Sequence, residues 1–236
     1  MCEAQSLPVW AVVVAAGSGE RLGADRPKAY VRFAGRTLLA ASLEMFEEHP
    51  AVDGIVVVVP EGWEERTSLL ADDLCAGKIA AAVAGGATRA ESVREGLEAL
   101  PDSAAFVLVH DAARPLISPD LVDRVLHGLA GGADGVVPAL PLTDTVKRVD
   151  GERVLETVDR SALVAVQTPQ GFPVARLRRA IERAGDDLGA ATDCASLVER
   201  DGGRVVHVEG DPENLKVTTR DDLRRAERLL ADRPAR

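Results

Sequence analysis

Arg21 and Lys28 lie in AAGSGERLGADRPKAY, residues 15–30, which follows directly on the apolar run VWAVVV at 9–14. Glycines let a backbone approach a ligand closely, and the two cations can converge on one anion. A strand-terminal loop of this kind suits a triphosphate. At ~4 Å each cation contributes on the order of 4 kcal/mol of Coulomb energy at an effective dielectric near 20, before desolvation. Such a pair can stabilise charge that grows during phosphoryl transfer. Two familiar phosphate loops do not fit. A dinucleotide fingerprint needs a helix to open at the loop. Here Asp25-Arg26-Pro27 intervenes; proline removes an amide donor, costs ~3 kcal/mol inside a helix and pushes the preceding residue towards an extended backbone. The Walker pattern, with GK[ST] after four intervening residues, is absent.

Three other stretches sit after apolar runs, where parallel α/β sheets gather their ligands. AGGATRAES, residues 84–92, brings Gly85, Gly86, Ala87 and Ser92; HDAARP, residues 110–115, brings Asp111, Ala112 and Arg114; ENLKVT, residues 213–218, brings Lys216. His110, at a strand end, is expected to orient its loop rather than to react. No Ser/His/Asp or Cys/His arrangement supplies an enzyme nucleophile.

The positioning elements are written in the hydropathy. Apolar, β-branched runs recur at 9–14, 55–59, 79–83, 105–109, 134–140, 163–167 and 204–208, most separated by segments of helical period. That alternation predicts an α/β fold around a mainly parallel sheet. Thr88 and Glu91 form a capping box ahead of Val93, Leu97 and Leu100 on one helix face. Ser118 is expected to cap a helix that has Pro119 in its first position, and Thr219 with Asp222 starts a last helix whose buried stripe is Leu223, Ala226 and Leu230. Residues 145–160 alternate about Asp150-Gly151, a hairpin signal. Val146, Val149, Val154, Leu155 and Val158 give this ribbon more apolar surface than an isolated two-stranded hairpin can bury. It either folds back on its own domain or grips a second copy. One domain over 7–232 is expected, with a β-arm at about 139–166.

Composition narrows the function classes. A net charge of −10 disfavours an extended nucleic-acid contact, and two Trp and one Tyr are too few for a base-stacking platform. No apolar run approaches the ~20 residues of a membrane span, and nothing near residue 1 resembles a signal peptide, so a cytoplasmic location is expected. Cys2, Cys75 and Cys194 lack disulfide or zinc spacing. No tight carboxylate cluster offers a dedicated metal site, so Mg²⁺ is expected to arrive on the nucleotide phosphates.

AAGSGERLG, PKAY, GGATRAESV, VHDAARP, DTVKR, TVDR, QTPQGF, TDCAS and ENLKVT, in this order, resemble the 2-C-methyl-D-erythritol 4-phosphate cytidylyltransferases of the non-mevalonate isoprenoid pathway. The resemblance runs along nearly the whole chain. It implies a Rossmann-like nucleotidyltransferase with a protruding β-hairpin arm, acting as a homodimer with shared active sites. The implied reaction moves CMP from CTP to methylerythritol phosphate with Mg²⁺, releasing pyrophosphate. By resemblance, Arg21 and Lys28 stabilise the attacked α-phosphate, while Arg160 and Lys216 position the acceptor. The CTP contacts fall on Ala15, Ala16, Gly17, Gly19, Gly85, Gly86, Ala87, Ser92, Asp111 and Ala112. The acceptor contacts fall on Asp111, Arg114, Thr145, Arg160, Thr192, Asp193 and Lys216. Two positions depart from the pattern: Ala87 stands where some members carry an acidic residue, and Val14 where others have proline. A relative that activates ribitol 5-phosphate, or one using another sugar phosphate, would share the glycine loops; a nucleotide sensor would not need Lys28, Arg160 and Lys216 together.

Overall fold

The computed structural model describes residues 7–17, 19 and 26–233; Arg21 and Cys2 lie outside the described residues. The chain opens with β1 (Val9–Val14). A 3-10 turn at Lys28–Tyr30 and a small ribbon, β2 (Arg32–Phe33) and β3 (Arg36–Thr37), lead into α1 (Leu38–Glu48), capped by the Thr37 hydroxyl. Strands and helices then alternate through β4 (Gly54–Val59), α2 (Glu64–Asp73), β5 (Ile79–Ala84), α3 (Arg89–Glu98), β6 (Phe106–Asp111), α4 (Pro119–Ala130) and β7 (Gly135–Pro141). A separate ribbon of β8 (Val146–Asp150) and β9 (Arg153–Val158) follows, then β10 (Val164–Val166) and β11 (Gln170–Pro173). The chain ends with α5 (Val174–Ala184), α6 (Cys194–Arg200), β12 (Val205–Glu209) and α7 (Arg220–Asp232).

The main sheet runs β10-β7-β11-β6-β1-β4-β5, with β12 also paired to β7. β6, β1, β4 and β5 are parallel neighbours, as are β7 and β12, so the sheet is mainly parallel as expected. Its central strands read as unbroken β-branched runs because both faces are covered. Ala11, Val13, Ile55, Val57 and Leu108 face one helix layer with α1 and α4. Their neighbours Val12, Val56, Val58, Val107 and Val109 face the other, with α3, α5 and α6. This period-two division follows from the pleat.

β11 is a strand the hydropathy did not reveal. QGFP holds one large apolar side chain, Phe172, yet it inserts antiparallel between β6 and β7. Phe172 is fully buried, and pairing with two waiting strand edges, rather than local propensity, makes the segment extended.

Helix punctuation is mostly as expected. Thr88 with Glu91 and Thr219 with Asp222 form complete capping boxes. Leu100 lies just beyond the end of α3 but packs into the same core cluster. Ser118 is a correction. It occupies the cap position of α4, but its hydroxyl donates to Asp211 Oδ2 at 3.0 Å and makes no capping bond. The short side chain is recruited by the loop that carries Lys216.

β8 and β9 pair only with each other. An irregularity between Arg148 and Val149 sets Val149 opposite Val154, while Val146 pairs with Val158 and Arg148 with Glu156. Residues paired across a ladder share a face, and side chains alternate along β8, so the Val146–Val158 pair and the Val149–Val154 pair lie on opposite faces of the ribbon. Val149 and Val154 are each 56% exposed in the single chain.

Candidate active site

A cleft of about 620 Å³ opens beyond the C-terminal ends of β1, β5 and β6. The glycine loop supplies one wall with Ala15, Ala16, Gly17, Gly19 and Lys28. Gly19 has φ +78, and a Cβ there would fall 2.7 Å from Lys28 Cβ, so glycine is what lets the loop close on the lysine. The Lys28 amide donates to the Gly17 carbonyl at 3.3 Å. Pro27 is extended at φ −55, ψ 143, which keeps the segment from opening a helix at the glycines. Behind Lys28, Tyr30 hydrogen-bonds the Thr67 hydroxyl at 2.5 Å and packs on Trp63 with ring centroids 4.3 Å apart. The turn is thereby anchored to α2.

The second wall is the double-glycine loop. Gly86, Ala87 and Ser92 line the cleft, whereas Gly85 packs between the two loops. A Cβ on Gly85 would come within 2.6 Å of Ala16 Cβ and 2.7 Å of Ser92 Oγ. The missing side chain of Gly85 is what brings the two walls together. Ser92 donates to the Thr88 carbonyl at 2.9 Å, and the Gly86 carbonyl lies 3.5 Å from its hydroxyl. A serine one turn into a helix can back-bond in this way, and here it shapes the loop.

Asp111 and Ala112 form the floor, with Lys216 and Thr218 across from the glycine loop's strand. The Asp111 carboxylate is shared: Arg89 Nε and Nη2 each lie 2.9 Å from Oδ1, and Lys216 Nζ lies 2.7 Å from Oδ2. Burial opposes its ionisation, but Arg89 and Lys216 outweigh burial and hold the carboxyl well below the usual carboxylate range. Burial also works against the charge on Arg89; the Asp111 carboxylate, aided by Cys194, keeps the guanidinium protonated.

Behind this floor a directed chain of hydrogen bonds fixes the loop. The Asp111 amide donates to Thr168 Oγ1 at 3.1 Å, and Thr168 Oγ1 lies 3.2 Å from His110 Nδ1. His110 Nε2 lies 3.2 Å from the Arg114 carbonyl. A carbonyl only accepts, so Nε2 carries the proton and Nδ1 accepts from the threonine. Burial lowers the His110 pKa to about 3, against the pull of Asp111 and with the help of Arg114. The orienting role expected for this histidine matches that geometry.

Arg114, Thr192 and Asp193 do not line the cleft in this chain. Arg114 is buried and donates from Nη1 to the Asn214 carbonyl at 2.7 Å, while its Nε, also buried, has no hydrogen-bond partner. Asn214 Nδ2 in turn donates to the Thr168 carbonyl at 2.8 Å, so QTPQGF, HDAARP and ENLKVT form one buried network that sets the position of Lys216. Asp193 caps α6 through the Ser196 amide at 3.0 Å and accepts from Gln170 Nε2 at 2.7 Å; Thr192 is exposed. Thr145 and Arg160, both exposed, flank the arm and likewise stand outside the cleft of their own chain.

Arg89 is a site residue that sequence reasoning does not single out. It lies within GGATRAESV, where the glycines and the cap are the conspicuous features. Its signal is nonetheless there: a cation at the first position of a helix stands against the macrodipole, so an anion elsewhere has to hold it.

Residues 9–232 match the family model for IspD, 2-C-methyl-D-erythritol 4-phosphate cytidylyltransferase. The chain belongs to this family. It is 48% identical over 226 residues to the 2-C-methyl-D-erythritol 4-phosphate cytidylyltransferase of Rhodococcus jostii, covering 95% of this chain and 96% of that protein. It is 52% identical to the bifunctional enzyme IspD/IspF of Clavibacter michiganensis over 93% of this chain and 54% of that protein. The chain thus spans about half the length of the bifunctional relatives it matches. The crystal structure of the family member from Thermus thermophilus superposes with a TM-score of 0.77 at 38% identity, covering 93% of this chain and 98% of that one. The fold is accordingly the nucleotidyltransferase fold of the IspD family. Among the described residues no helix is long and apolar enough to cross a membrane, and no group of three or more His, Cys, Asp or Glu could hold a metal ion.

Proposed function

We propose that the chain transfers CMP from CTP to 2-C-methyl-D-erythritol 4-phosphate, giving 4-diphosphocytidyl-2-C-methyl-D-erythritol and pyrophosphate. The observation that carries this reading is the Asp111 carboxylate bridging Arg89 and Lys216 in a cleft that also contains Lys28 and two glycine loops. In the reaction an acceptor phosphate oxygen attacks the α-phosphorus, the bond to the β-phosphate oxygen breaks, and its electron pair leaves with pyrophosphate. No protein nucleophile is consumed. Lys28 faces the charge that develops at the α-phosphate, where fixed cations are most effective, and Arg21, outside the described residues, is assigned the same role by the family pattern. The backbone of Ala15, Ala16, Gly86 and Ala87 reads the cytosine edge, and Asp111 with the Ala112 amide holds the ribose. Lys216 takes the acceptor phosphate, and Arg114, with a buried unpartnered Nε, offers a further donor.

Asp111 is the acidic side chain among the residues lining the cleft, and both its oxygens are engaged by cations. That donor set fits a Mg²⁺ ion that enters on the triphosphate, with Asp111 reaching it through water. When bound, the ion neutralises phosphate charge.

The arm supports a homodimer with shared sites. Val149, Val154 and Leu155 are uncovered in the single chain, Leu163, Val164 and Val166 at the arm's base are exposed, and Thr145 and Arg160 are left outside their own cleft. A two-fold dimer gives both arms the same surface to grip, delivering Arg160 and Thr145 to the partner's acceptor site. The enzyme acts on dissolved substrates in the cytoplasm. Incubation with CTP, Mg²⁺ and a panel of polyol phosphates, followed by identification of the CDP-product, tests the reading. Methylerythritol phosphate should be the preferred acceptor; a preference for ribitol 5-phosphate would overturn it.

A further inference from the structure

Charge counting at the floor of the cleft reveals a division of labour. Asp111 carries one negative charge and faces Arg89 on one oxygen and Lys216 on the other. If Lys216 were its sole partner, the pair would be neutral and would offer little to an incoming phosphate. Arg89 changes that balance. Its Nε and Nη2 both converge on Oδ1, and its Nη1 lies 3.6 Å from the sulfur of buried Cys194, which braces the guanidinium from behind. Arg89 is also the first residue of α3, directly after the Thr88 cap, so its backbone is tied to the loop that forms the second wall. Lys216 is the more exposed of the two cations, with 41% of its side chain accessible against 22% for Arg89.

We propose that Arg89 is a positioning residue: it takes up the charge of Asp111 so that the Lys216 ammonium is left with net positive charge for the acceptor phosphate. Arg89 acts through Asp111 and mechanically links the double-glycine loop to the acceptor side. The other groups facing Asp111 do not substitute for it. Arg114 spends Nη1 on the Asn214 carbonyl, and His110 is held neutral by burial. Guanidinium chemistry suits the task, because Arg89 donates one hydrogen bond from Nε to Oδ1 and keeps Nη2 within ion-pair distance of the same oxygen, holding a permanent positive charge against it.

The inference rests on the proposed reaction, so the wild-type enzyme with CTP and methylerythritol phosphate is the first control. Failure there would indict the reaction and not the role of Arg89. In Arg89→Gln, kcat/KM for the acceptor should fall by about 10–100-fold, with a clearly smaller rise in KM for CTP, because the Asp111 contact with the ribose is disturbed but not lost, whereas the charge on Lys216 is neutralised. Arg89→Lys should recover part of the loss. In an Asp111→Asn background, Arg89→Gln should add less than about a threefold further loss, since the interaction it serves is already gone. A crystal structure of Arg89→Gln supplies a readout independent of turnover: the Asp111 carboxylate should rotate towards Lys216. Equal losses for CTP and acceptor, full additivity with Asp111→Asn, or an unmoved carboxylate would each overturn the proposal. If Arg89→Gln fails to fold, the kinetic split in Arg89→Lys decides, with a selective acceptor defect expected and a uniform one refuting.

Discussion

Replacing His110 tests the buried network through its protonation. The imidazole is fully buried, packs edge-on to Phe46 with ring centroids 5.3 Å apart, and uses both nitrogens as a neutral ring. Burial holds its folded pKa down to about 3, whereas an unfolded chain protonates histidine near ~6.5. Between those values the unfolded state binds a proton that the native state refuses, so stability is fully present above ~6.5 and falls as pH falls. The slope approaches ~1.4 kcal/mol per pH unit, and integrating from pH 7 to pH 5 gives a loss of about 2 kcal/mol from this one group. His110→Gln keeps a donor and an acceptor but cannot titrate. It should start less stable at pH 7, by ~1–3 kcal/mol for imperfectly remade buried hydrogen bonds, yet lose about 2 kcal/mol less than the wild type between pH 7 and pH 5. Urea unfolding followed by circular dichroism at pH 7, 6 and 5, at one protein concentration, measures both slopes. Parallel slopes for the two proteins, or an NMR titration placing His110 near ~6.5, would refute the reasoning.

Lys28→Ala should lower kcat by ~10²–10³, by analogy with loss of a single transition-state donor, with a smaller change in KM for CTP; steady-state kinetics with CTP varied checks this, and a pure KM effect would contradict it. Gly85→Ala forces a methyl to within 2.6 Å of Ala16 Cβ and 2.7 Å of Ser92 Oγ, so the two cleft walls must part. Overpacking costs ~1–3 kcal/mol, and thermal unfolding should show it together with a KM for CTP raised about tenfold or more. Mixing inactive Lys28→Ala and Arg160→Ala subunits should restore about a quarter of wild-type activity if Arg160 serves the partner's site, because each heterodimer then holds one intact site. No recovery after verified subunit exchange would place Arg160 in its own cleft.

Much of this protein is local chemistry and could be read from the order of residues alone. The β-branched runs mark the central strands because a strand buried on both faces carries mostly apolar side chains. Thr88 with Glu91 and Thr219 with Asp222 mark helix starts because capping bonds span three residues. Asp150-Gly151 marks the arm's turn, where Gly151 has φ +54. The glycine loop's resistance to helix follows from Pro27. Each of these signals is complete within a few residues, so no distant partner is needed to interpret it.

Tertiary structure alone decided the rest. β11 exists because β6 and β7 present edges on either side of it, and nothing in QGFP announces those edges. Ser118 has the type and place of a cap, but Asp211, 93 residues away, takes its hydroxyl. Gly85 was legible as a glycine of the site, but only the approach of Ala16 and Ser92 shows that it joins two walls. Arg89, Asp111 and Lys216 lie far apart along the chain, and their shared carboxylate is created by bringing α3, β6 and the loop before α7 to one edge of the sheet. Residue type fixes which charges exist; only the fold determines which of them meet and therefore how much charge remains for a substrate.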